Sequence, residues 1–264
     1  MNSLLLEKVR YANSDGTVLR TYRTGEGDLF VDILLKGPGI LRVLAKNALK
    51  SHRRFGGCLT VPSRIQASFA KRSHTWYLEE AALLDPFLDL KSEPRTYAMM
   101  GYAVECLITT GQSQEHPGEL ETFFAETVNL LRRPPNDLVI KKIIFDLNLL
   151  ALNGVEPLVD ACVHCEEESP SSRLVGYDIV AGGVVCEPHY GLSPRCVRTT
   201  VGTLKALAHL SGTPLVYPRT VVLGKRQRNQ AVKLTGLLIE EHLGFRPRAL
   251  TVLRQVFHAT KTLS

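Results

Sequence analysis

Residues 18–45, VLRTYRTGEGDLFVDILLKGPGILRVLA, hold three short stretches that are rich in apolar and β-branched side chains. A GEGD turn at 25–28 and a GPG turn at 37–39 separate these stretches at the spacing of β-hairpins. VPSRIQASFA at 61–70 and HTWYLEEAAL at 74–83 continue the same mixture of aromatic, β-branched and polar residues. Five short strands in this part of the chain predict a small closed barrel.

A closed barrel of this size fills its interior with its own side chains, so a ligand has to bind on the outer face or the loops. An oligonucleotide- or oligosaccharide-binding fold (OB fold) is the natural candidate for such an arrangement. We therefore predict an OB-fold nucleic-acid-binding barrel in residues 1–80.

The pattern changes from strands to helices after Asp85. Ser92 is the expected cap of the first helix, Pro94 lies in its first turn, and Gly154 is placed to close the third helix in the left-handed conformation. Residues 81–264 are therefore predicted to form an all-α domain, which makes the chain an α+β protein of two domains. The predicted helices span residues 92–111, 118–133, 137–153, 199–210, 228–243 and 248–260.

The composition is that of an ordinary globular protein. Of the 264 residues, 44% are hydrophobic and 22% are charged, and this length leaves room for two domains. No segment approaches the roughly 20 consecutive apolar residues that a bilayer requires, and only three leucines precede Glu7. We expect a soluble protein that is not exported and that lies in the cytoplasm, associated with the nucleoid.

The most specific motif is a set of cysteine and histidine residues. Four of the six cysteines are crowded into one part of the chain, which favours a metal site over disulfides. Cys162 and Cys165 are separated by two residues, and Cys186 and His189 repeat that spacing. The pattern C-x2-C-x20-C-x2-H supplies four ligands of the kind that tetrahedral structural Zn²⁺ takes.

Residues 158–198 show no clear periodicity, which predicts a loop-built zinc module inserted in the helical domain. The glycine pair at 182–183 is expected where the backbone bends back toward the ion. Four protein ligands leave zinc no open position for water, so we expect the site to stabilise the fold and not to catalyse a reaction. Cys196 or His164 could replace His189 as fourth ligand, or the group could be an unrelated set of loop residues.

Charges are segregated along the sequence. Residues 33–78 contain nine Lys or Arg and no Asp or Glu, and residues 188–264 contain twelve basic residues with only Glu240 and Glu241. Residues 79–187 hold seven basic and nineteen acidic residues. A carboxylate beside a phosphate contact weakens it, so two segments this poor in carboxylates favour nucleic-acid binding over a solvated basic face.

A basic loop after the third strand is expected to follow a phosphate chain, with Phe55 and Trp76 the best candidates for stacking on unpaired bases. Core packing is the alternative for both rings. A second basic group opens the C-terminal helical region, where it would bind either DNA or an acidic peptide tail. Two basic sites that hold two strands lower their mutual repulsion, which is a physical route to annealing. The expected DNA-binding residues are Arg42, Lys46, Lys50, Arg53, Arg54, Phe55, Arg64, Lys71 and Arg72 in the first segment and Lys225, Arg226 and Arg228 in the second.

The catalytic motifs that we considered are incomplete. His164 and Glu166 match the H-x-E of zinc nucleobase deaminases, but the P-C-x-x-C that should follow is missing. Gly224 and Lys225 lack the preceding glycine that a phosphate-binding P-loop requires. We therefore predict that the protein is not an enzyme.

Four segments follow one another along the chain: LRTYRTGEGDLFVDILL, KNALKSHRRFGGCLTVPSRI, DLNLLALNGVEPLVDACVHC with its return AGGVVCEPH, and EEHLGFRPRALTVLRQ. In these segments, and in their order and spacing, the chain resembles the RecO family of bacterial recombination mediators. His189 stands where the family commonly has cysteine, and Ala249 replaces an expected polar residue.

This resemblance implies an N-terminal OB-fold barrel and a helical domain that carries the zinc module. It also implies binding of single- and double-stranded DNA and annealing of complementary strands. With the partner RecR, such a protein would help to replace single-strand-binding protein, contacted through its acidic tail, by RecA.

Two other functions stay open at this point. A sequence-specific zinc-containing DNA-binding regulator would need a helix that presents Arg, Asn or Gln to base edges, and the module has no such helix directly after its ligands. A metal-dependent nucleic-acid enzyme would alter the strands that it binds when zinc or magnesium is added.

Overall fold

Five strands close into a barrel in the order β1-β2-β3-β5-β4. The β3–β5 pair is parallel and the other four pairs are antiparallel. The strands are β1 (Arg10–Thr24), β2 (Asp28–Leu35), β3 (Gly39–Ala45), β4 (Ser63–Arg72) and β5 (Thr75–Asp85). The structure, a computed structural model, describes residues 10–111, 118–135, 137–166, 174–215 and 221–259.

Alternation of side chains along β2 and β3 builds the core of the barrel. Val31, Ile33 and Val43 are fully buried in it, whereas Phe30 and Arg42 point to the other face and are at least partly exposed. Glycines with positive φ make the tight turns between these strands, as at Gly25 and Gly37. The predicted five-stranded barrel is confirmed.

The segment between β3 and β4 differs from its prediction as a basic loop. His52–Phe55 form a short helix, α1, which brings the Phe55 side chain into the barrel core at 3% exposure. The backbone carbonyl of Phe55 accepts a hydrogen bond from the N–H of Cys58, which holds this turn against the barrel. The apolar ring gains more from burial here than it would from a solvent-exposed loop.

Asp32 is a carboxylate that is almost fully buried on the outer side of the sheet. Arg20 and Arg42 lie opposite it on the neighbouring strands and approach its oxygens to 2.7 and 2.8 Å. The Tyr22 hydroxyl donates to the same carboxylate at 3.4 Å. This set joins β1, β2 and β3 through their side chains.

Helices follow the barrel. The helix that begins at Pro94 is capped by Glu93, whose carboxylate accepts from the backbone N–H groups of residues 95 and 96, so the prediction of Ser92 as the cap is wrong. Gly154 has φ of 74° directly after the third long helix, as predicted. Thr260, the predicted last helical residue, lies outside the described residues. The helices are α2 (Leu88–Lys91), α3 (Pro94–Thr110), α4 (Gly118–Arg132), α5 (Leu138–Leu152), α6 (Val201–Leu210), α7 (Lys225–His242) and α8 (Ala249–Ala259).

A buried polar network joins α3, α5 and α7. The Asp146 carboxylate accepts hydrogen bonds from Tyr102 at 2.9 Å and from Thr235 at 2.6 Å, and it lies 2.5 Å from the Lys142 ammonium. Lys142 and Asp146 are 2% and 0% exposed. Each buried polar group in this network has a partner, which is the condition for burying charge without a large free-energy cost.

The segment with the cysteines contains a three-stranded sheet, with the order β7-β6-β8, so its prediction as a loop-built module is wrong. The strands are β6 (Leu174–Asp178), β7 (Gly183–Val185) and β8 (Cys196–Thr200). They are only three to five residues long, which is too short for a reliable periodic signal.

The chain divides into two compact units. One, the barrel unit, contains Met1–Tyr97 and Val104–Ala125, and the other, the helical unit, contains Ala98–Ala103 and Glu126–Ser264. The predicted α+β class, a barrel followed by a helical region with a Cys/His cluster, is confirmed, while the predicted boundary between residues 80 and 81 stays a prediction. In the described part of the chain, no helix is long and apolar enough to cross a membrane.

Replacing the buried carboxylate by Asp32→Asn is expected to lower the free energy of unfolding of the barrel by about 1–3 kcal/mol, because two guanidinium groups lose their charged acceptor. Burial works to raise the pKa of Asp32, but hydrogen bonds from Arg42 and Arg20 outweigh it and hold the pKa below its ordinary value. A carboxyl of this kind stabilises above its unfolded pKa and loses that contribution as the pH falls through its folded pKa.

The difference between wild type and variant should therefore be constant above about pH 5 and shrink below about pH 4. Urea unfolding followed by the fluorescence of Trp76, which packs against the barrel core, measures it. Asp15→Asn is the control, because Asp15 pairs with Arg64 in an exposed ion pair that contributes little. A difference that persists unchanged at pH 2 would contradict the assignment.

Candidate metal centre and nucleic-acid interface

Cys162, Cys165, Cys186 and His189 come together in the structure. Their ligand atoms all lie within 4.8 Å of one another. The Cys165 and Cys186 sulfurs are 3.7 Å apart, and the His189 Nδ1 atom lies 3.0 Å from the Cys186 sulfur and 3.8 Å from that of Cys162. Sulfurs bound tetrahedrally to one zinc ion would be about 3.8 Å apart, so this cluster can hold a metal ion.

Backbone pairing with β7 positions the first pair of ligands. Leu158 exchanges hydrogen bonds with Gly182 and Val184, and the Val163 N–H donates to the Val184 carbonyl at 2.9 Å. A Cβ atom on Gly183 would lie 2.2 Å from the Val163 side chain, between the two cysteines of the first pair. The absence of a side chain at Gly183 therefore lets the two halves of the cluster approach.

The surroundings of the sulfurs favour one thiolate and oppose a second. Burial raises the pKa of Cys162, but backbone N–H groups of Cys186, His164 and Cys165 lower it, to about 6. Burial raises the pKa of Cys186 to about 11, and the neighbouring sulfurs of Cys162 and Cys165 add to the rise. A divalent cation bound among the sulfurs would remove their mutual repulsion and allow all of them to ionise.

The alternative fourth ligands lie beside the cluster but outside the group of atoms that are within ligand distance of one another. The Cys196 sulfur lies against Gly176, where it and the Tyr190 ring would both meet a Cβ atom at 2.8 Å. The His164 Nε2 atom is 3.7 Å from the Asp178 carboxylate. Of the described residues, the group within ligand distance contains His189 and neither Cys196 nor His164.

The module is tied to the end of α7. His242 bonds through its Nε2 atom to the Ile179 carbonyl oxygen at 2.9 Å, and Arg195 forms an ion pair with Glu241. Glu241 and His242 belong to the EEHLG segment, so this part of the family pattern has a packing role in the structure.

Three of the predicted DNA-binding cations lie over aromatic rings on the outer face of the barrel. The Arg42 guanidinium is 5.1 Å from the Tyr22 ring centroid, and Arg72 and Lys46 are 5.1 and 5.9 Å from that of Tyr77. Neither tyrosine was among the predicted site residues. Their places in LRTYR and TWYLE alternate with side chains that face the core, which is the sequence signal that would have indicated an outward-facing ring.

The other predicted cations of the barrel unit have different settings. Lys50 and Arg53 are exposed. Arg54 donates hydrogen bonds to a backbone carbonyl and a serine hydroxyl of its own segment. Arg64 forms an ion pair with Asp15 at 3.3 Å.

The two rings that were expected to stack on bases both contact the barrel core. Phe55 is 3% exposed, so the prediction that its ring meets a base is wrong. Trp76 is partly buried and packs against the core, with the Lys71 ammonium 5.7 Å from its ring centroid. The alternative of core packing therefore holds for both rings.

The three predicted cations of the C-terminal segment lie in the first turn of α7. Lys225 and Arg226 are exposed, whereas Arg228 lies 2.6 Å from the Asp137 carboxylate and donates to the Leu223 carbonyl oxygen. A cleft of about 270 Å³ lies beside Arg228. Leu130, Ile140, Ile144, Val221, Val222, Arg133 and Lys141 contribute to its lining.

These features define a class of protein, in which an OB-type barrel is followed by a helical region that carries a Cys/His cluster. Residues 9–87 match the family model described as Recombination protein O N terminal, and residues 91–251 match the one described as Recombination protein O C terminal. The chain belongs to the RecO family of DNA repair proteins.

Three relatives show how far the similarity extends. The DNA repair protein RecO of Desulfatibacillum aliphaticivorans is 27% identical over 250 residues, covering 92% of this chain and 96% of the relative. That of Anaeromyxobacter sp. (strain Fw109-5) is 29% identical over 244 residues, covering 91% and 94%. That of Myxococcus xanthus is 28% identical over 249 residues, covering 92% and 97%.

We expect the purified chain to hold one metal ion, and His189→Ala to weaken zinc binding by more than about 100-fold, because one of four ligands is lost. Elemental analysis after dialysis against a weak chelator measures the metal content. Cys196→Ser is the matched control and should retain the ion. Retention by His189→Ala together with loss by Cys196→Ser would instead identify Cys196 as the fourth ligand.

Proposed function

We propose that this chain is a DNA-binding recombination mediator that works without catalysing a reaction. It binds single- and double-stranded DNA, anneals complementary strands and, with RecR, helps to replace single-strand-binding protein by RecA, in the cytoplasm beside the nucleoid. Membership of the RecO family supports the role in DNA repair. The observation that carries DNA binding is the acid-free segment 33–78, whose cations border the barrel.

Six of the nine cations of this segment fall into two groups. Arg42, Arg64 and Arg72 each have a carboxylate partner from outside the segment. Within the described ranges, no carboxylate oxygen lies within 4.0 Å of the charged groups of Lys46, Lys50 or Arg53. The second group supports contacts with phosphates, which are sequence-blind and so suit repair at any site.

The first turn of α7 is the proposed second DNA site. Lys225 and Arg226 are exposed at a helix N-terminus, where backbone N–H groups also favour an anion. Arg228 takes part indirectly, since it is already paired with Asp137. A strand at this site and another on the barrel would have part of their charge neutralised, which lowers the repulsion that opposes annealing.

The cleft beside Arg228 is the proposed contact for the acidic tail of single-strand-binding protein. Apolar side chains such as Leu130, Ile140 and Ile144 line it. Arg133, Lys141 and Arg228 also line it, against the single carboxylate of Asp137, so its net charge is positive. An acidic peptide with an apolar end would match this combination of charge and apolar surface.

The Cys/His cluster is proposed to hold a structural zinc ion. Cys162, Cys165, Cys186 and His189 supply the four ligands that a closed tetrahedral site requires. Zinc would neutralise the sulfurs and join the two halves of the module. With all four positions taken by protein, the ion would not activate water, in keeping with a protein that is not an enzyme.

Charge reversal at Lys46, Lys50 and Arg53 to Glu is expected to weaken single-strand binding and lower its salt dependence, because three phosphate contacts are lost. The slope of log K against log salt should fall by about 0.7 for each contact, or about 2 in total. Fluorescence anisotropy of a labelled oligonucleotide across a sodium chloride series measures both quantities.

The matched control is a second triple variant, with Lys205, Lys233 and Arg254 changed to Glu. These cations are exposed in the helical unit, and their replacement changes the net charge by the same amount. Equal losses in the two triple variants would mean that net charge, and not a site on the barrel, governs binding. No binding to any oligonucleotide by wild type at low salt would refute the proposed function.

Lys225→Glu with Arg226→Glu is expected to slow annealing on the order of tenfold while single-strand binding by the barrel stays close to wild type. Arg228 is left unchanged because its ion pair with Asp137 contributes to the fold. Annealing is measured as the quenching of complementary labelled strands, with Lys233→Glu on the same helix as control. Wild-type annealing by the double variant would remove α7 from the proposed mechanism.

A further inference from the structure

A row of aromatic and apolar side chains crosses three strand boundaries of the barrel. Cross-strand register places Tyr22 opposite Phe30, Phe30 opposite Leu44, and Leu44 opposite Tyr77. Directly opposite residues point to the same face of a sheet. We call these four side chains the ring row.

The ring row lies on the outside of the barrel. Val31 and Val43, which neighbour Phe30 and Leu44 along their strands, are 0% exposed in the core, so the ring row points the other way. All four of its members are partly exposed. A contiguous apolar patch on the surface of a small domain is typical of a binding site.

Cations border the Tyr22 end of the ring row. The guanidinium groups of Arg20 and Arg42 lie 5.4 and 5.1 Å from the Tyr22 ring centroid. Both guanidinium groups are held in place by ion pairs with the buried Asp32 carboxylate. The pair still carries more positive charge than the single carboxylate neutralises.

The Tyr77 end has the same character. Arg72 and Lys46 lie 5.1 and 5.9 Å from the Tyr77 ring centroid. The ion pair of Arg72 with Glu79 is long, at 3.4 Å, and its two side chains are 54% and 33% exposed. Such a pair contributes little and can be exchanged for a contact with phosphate.

We propose that the ring row stacks on unpaired bases of single-stranded DNA while the cations at its two ends contact the flanking phosphates. Rings interleaved with cations suit a single strand, since every base has a face to stack on and a phosphate beside it. A duplex hides its base faces in its own stack, so the ring row selects single strands. This inference rests on the proposed DNA-binding function and adds the part of DNA that this face recognises.

The test compares three probes of equal length: oligothymidine, an oligonucleotide of abasic residues, and a duplex. Wild type should bind oligothymidine at least about tenfold more tightly than the abasic strand, since both offer the same phosphates. The variant with Tyr22, Phe30 and Tyr77 all changed to Leu should bind the two strands equally and bind the duplex as wild type does. Leucine keeps the surface apolar, so the variant separates stacking from burial.

Tyr97→Leu is the control, because Tyr97 is an equally large ring, 45% exposed, in the barrel unit but outside the ring row. It should preserve the preference for oligothymidine. Thermal unfolding shows whether the triple variant is folded, and Tyr77→Leu alone replaces it if it is not.

The two proposals fail in different ways. If wild type binds the abasic strand as tightly as oligothymidine, or if the leucine variants keep the preference for bases, the ring row is not a stacking surface, although DNA binding stands. If wild type binds none of the three probes, the proposed function itself is wrong.

Discussion

Because the barrel is closed and its interior is filled with apolar side chains, the charged side chains of its strands have to lie on its outer face. Strands with alternating side chains fill the interior with residues such as Val31, Ile33 and Val43. The cations of the same strands are thereby forced outward, next to whatever aromatic residues share that face. Asp32, the carboxylate buried on this face, is balanced by the guanidinium groups of Arg20 and Arg42. The proposed interface with DNA is thus a consequence of how the core is filled.

Two buried polar clusters of the helical unit differ in whether the chain itself balances their charge. Asp146 has a cation, Lys142, and two hydroxyl donors around it, so that cluster is complete within the chain. The cluster of Cys162, Cys165 and Cys186 gathers sulfurs that repel one another once ionised, and one imidazole does not cancel that repulsion. A metal ion is what would complete it.

Local signals made much of the fold predictable. The glycines at the turns of the barrel and Gly154 mark the ends of strands and of a helix, because few other residues adopt the positive φ that is found there. This signal is local and does not depend on tertiary contacts. The four metal-ligand candidates could be named for the same reason, since each pair lies within three residues along the chain. The proposed zinc ion and DNA contacts themselves stay predictions.

Features that depend on distant parts of the chain could not be predicted in this way. Phe55 faces inward because α1 folds back onto the barrel, and its sequence neighbours give no sign of that path. Alternation along each strand shows that Tyr22 and Tyr77 face outward, but which cations lie over them depends on the register between strands. The strands of the sheet β7-β6-β8 are too short to give a periodic pattern in the sequence, and their pairing depends on contacts between segments that are distant along the chain.

The close approach of Gly183 to Val163 links two positions that are twenty residues apart in sequence. A methyl group at position 183 would occupy the space that the valine side chain already fills, so the first position can become larger only if the second becomes smaller. The two positions are therefore expected to change together during evolution, because a substitution at one determines which side chains the other can accept.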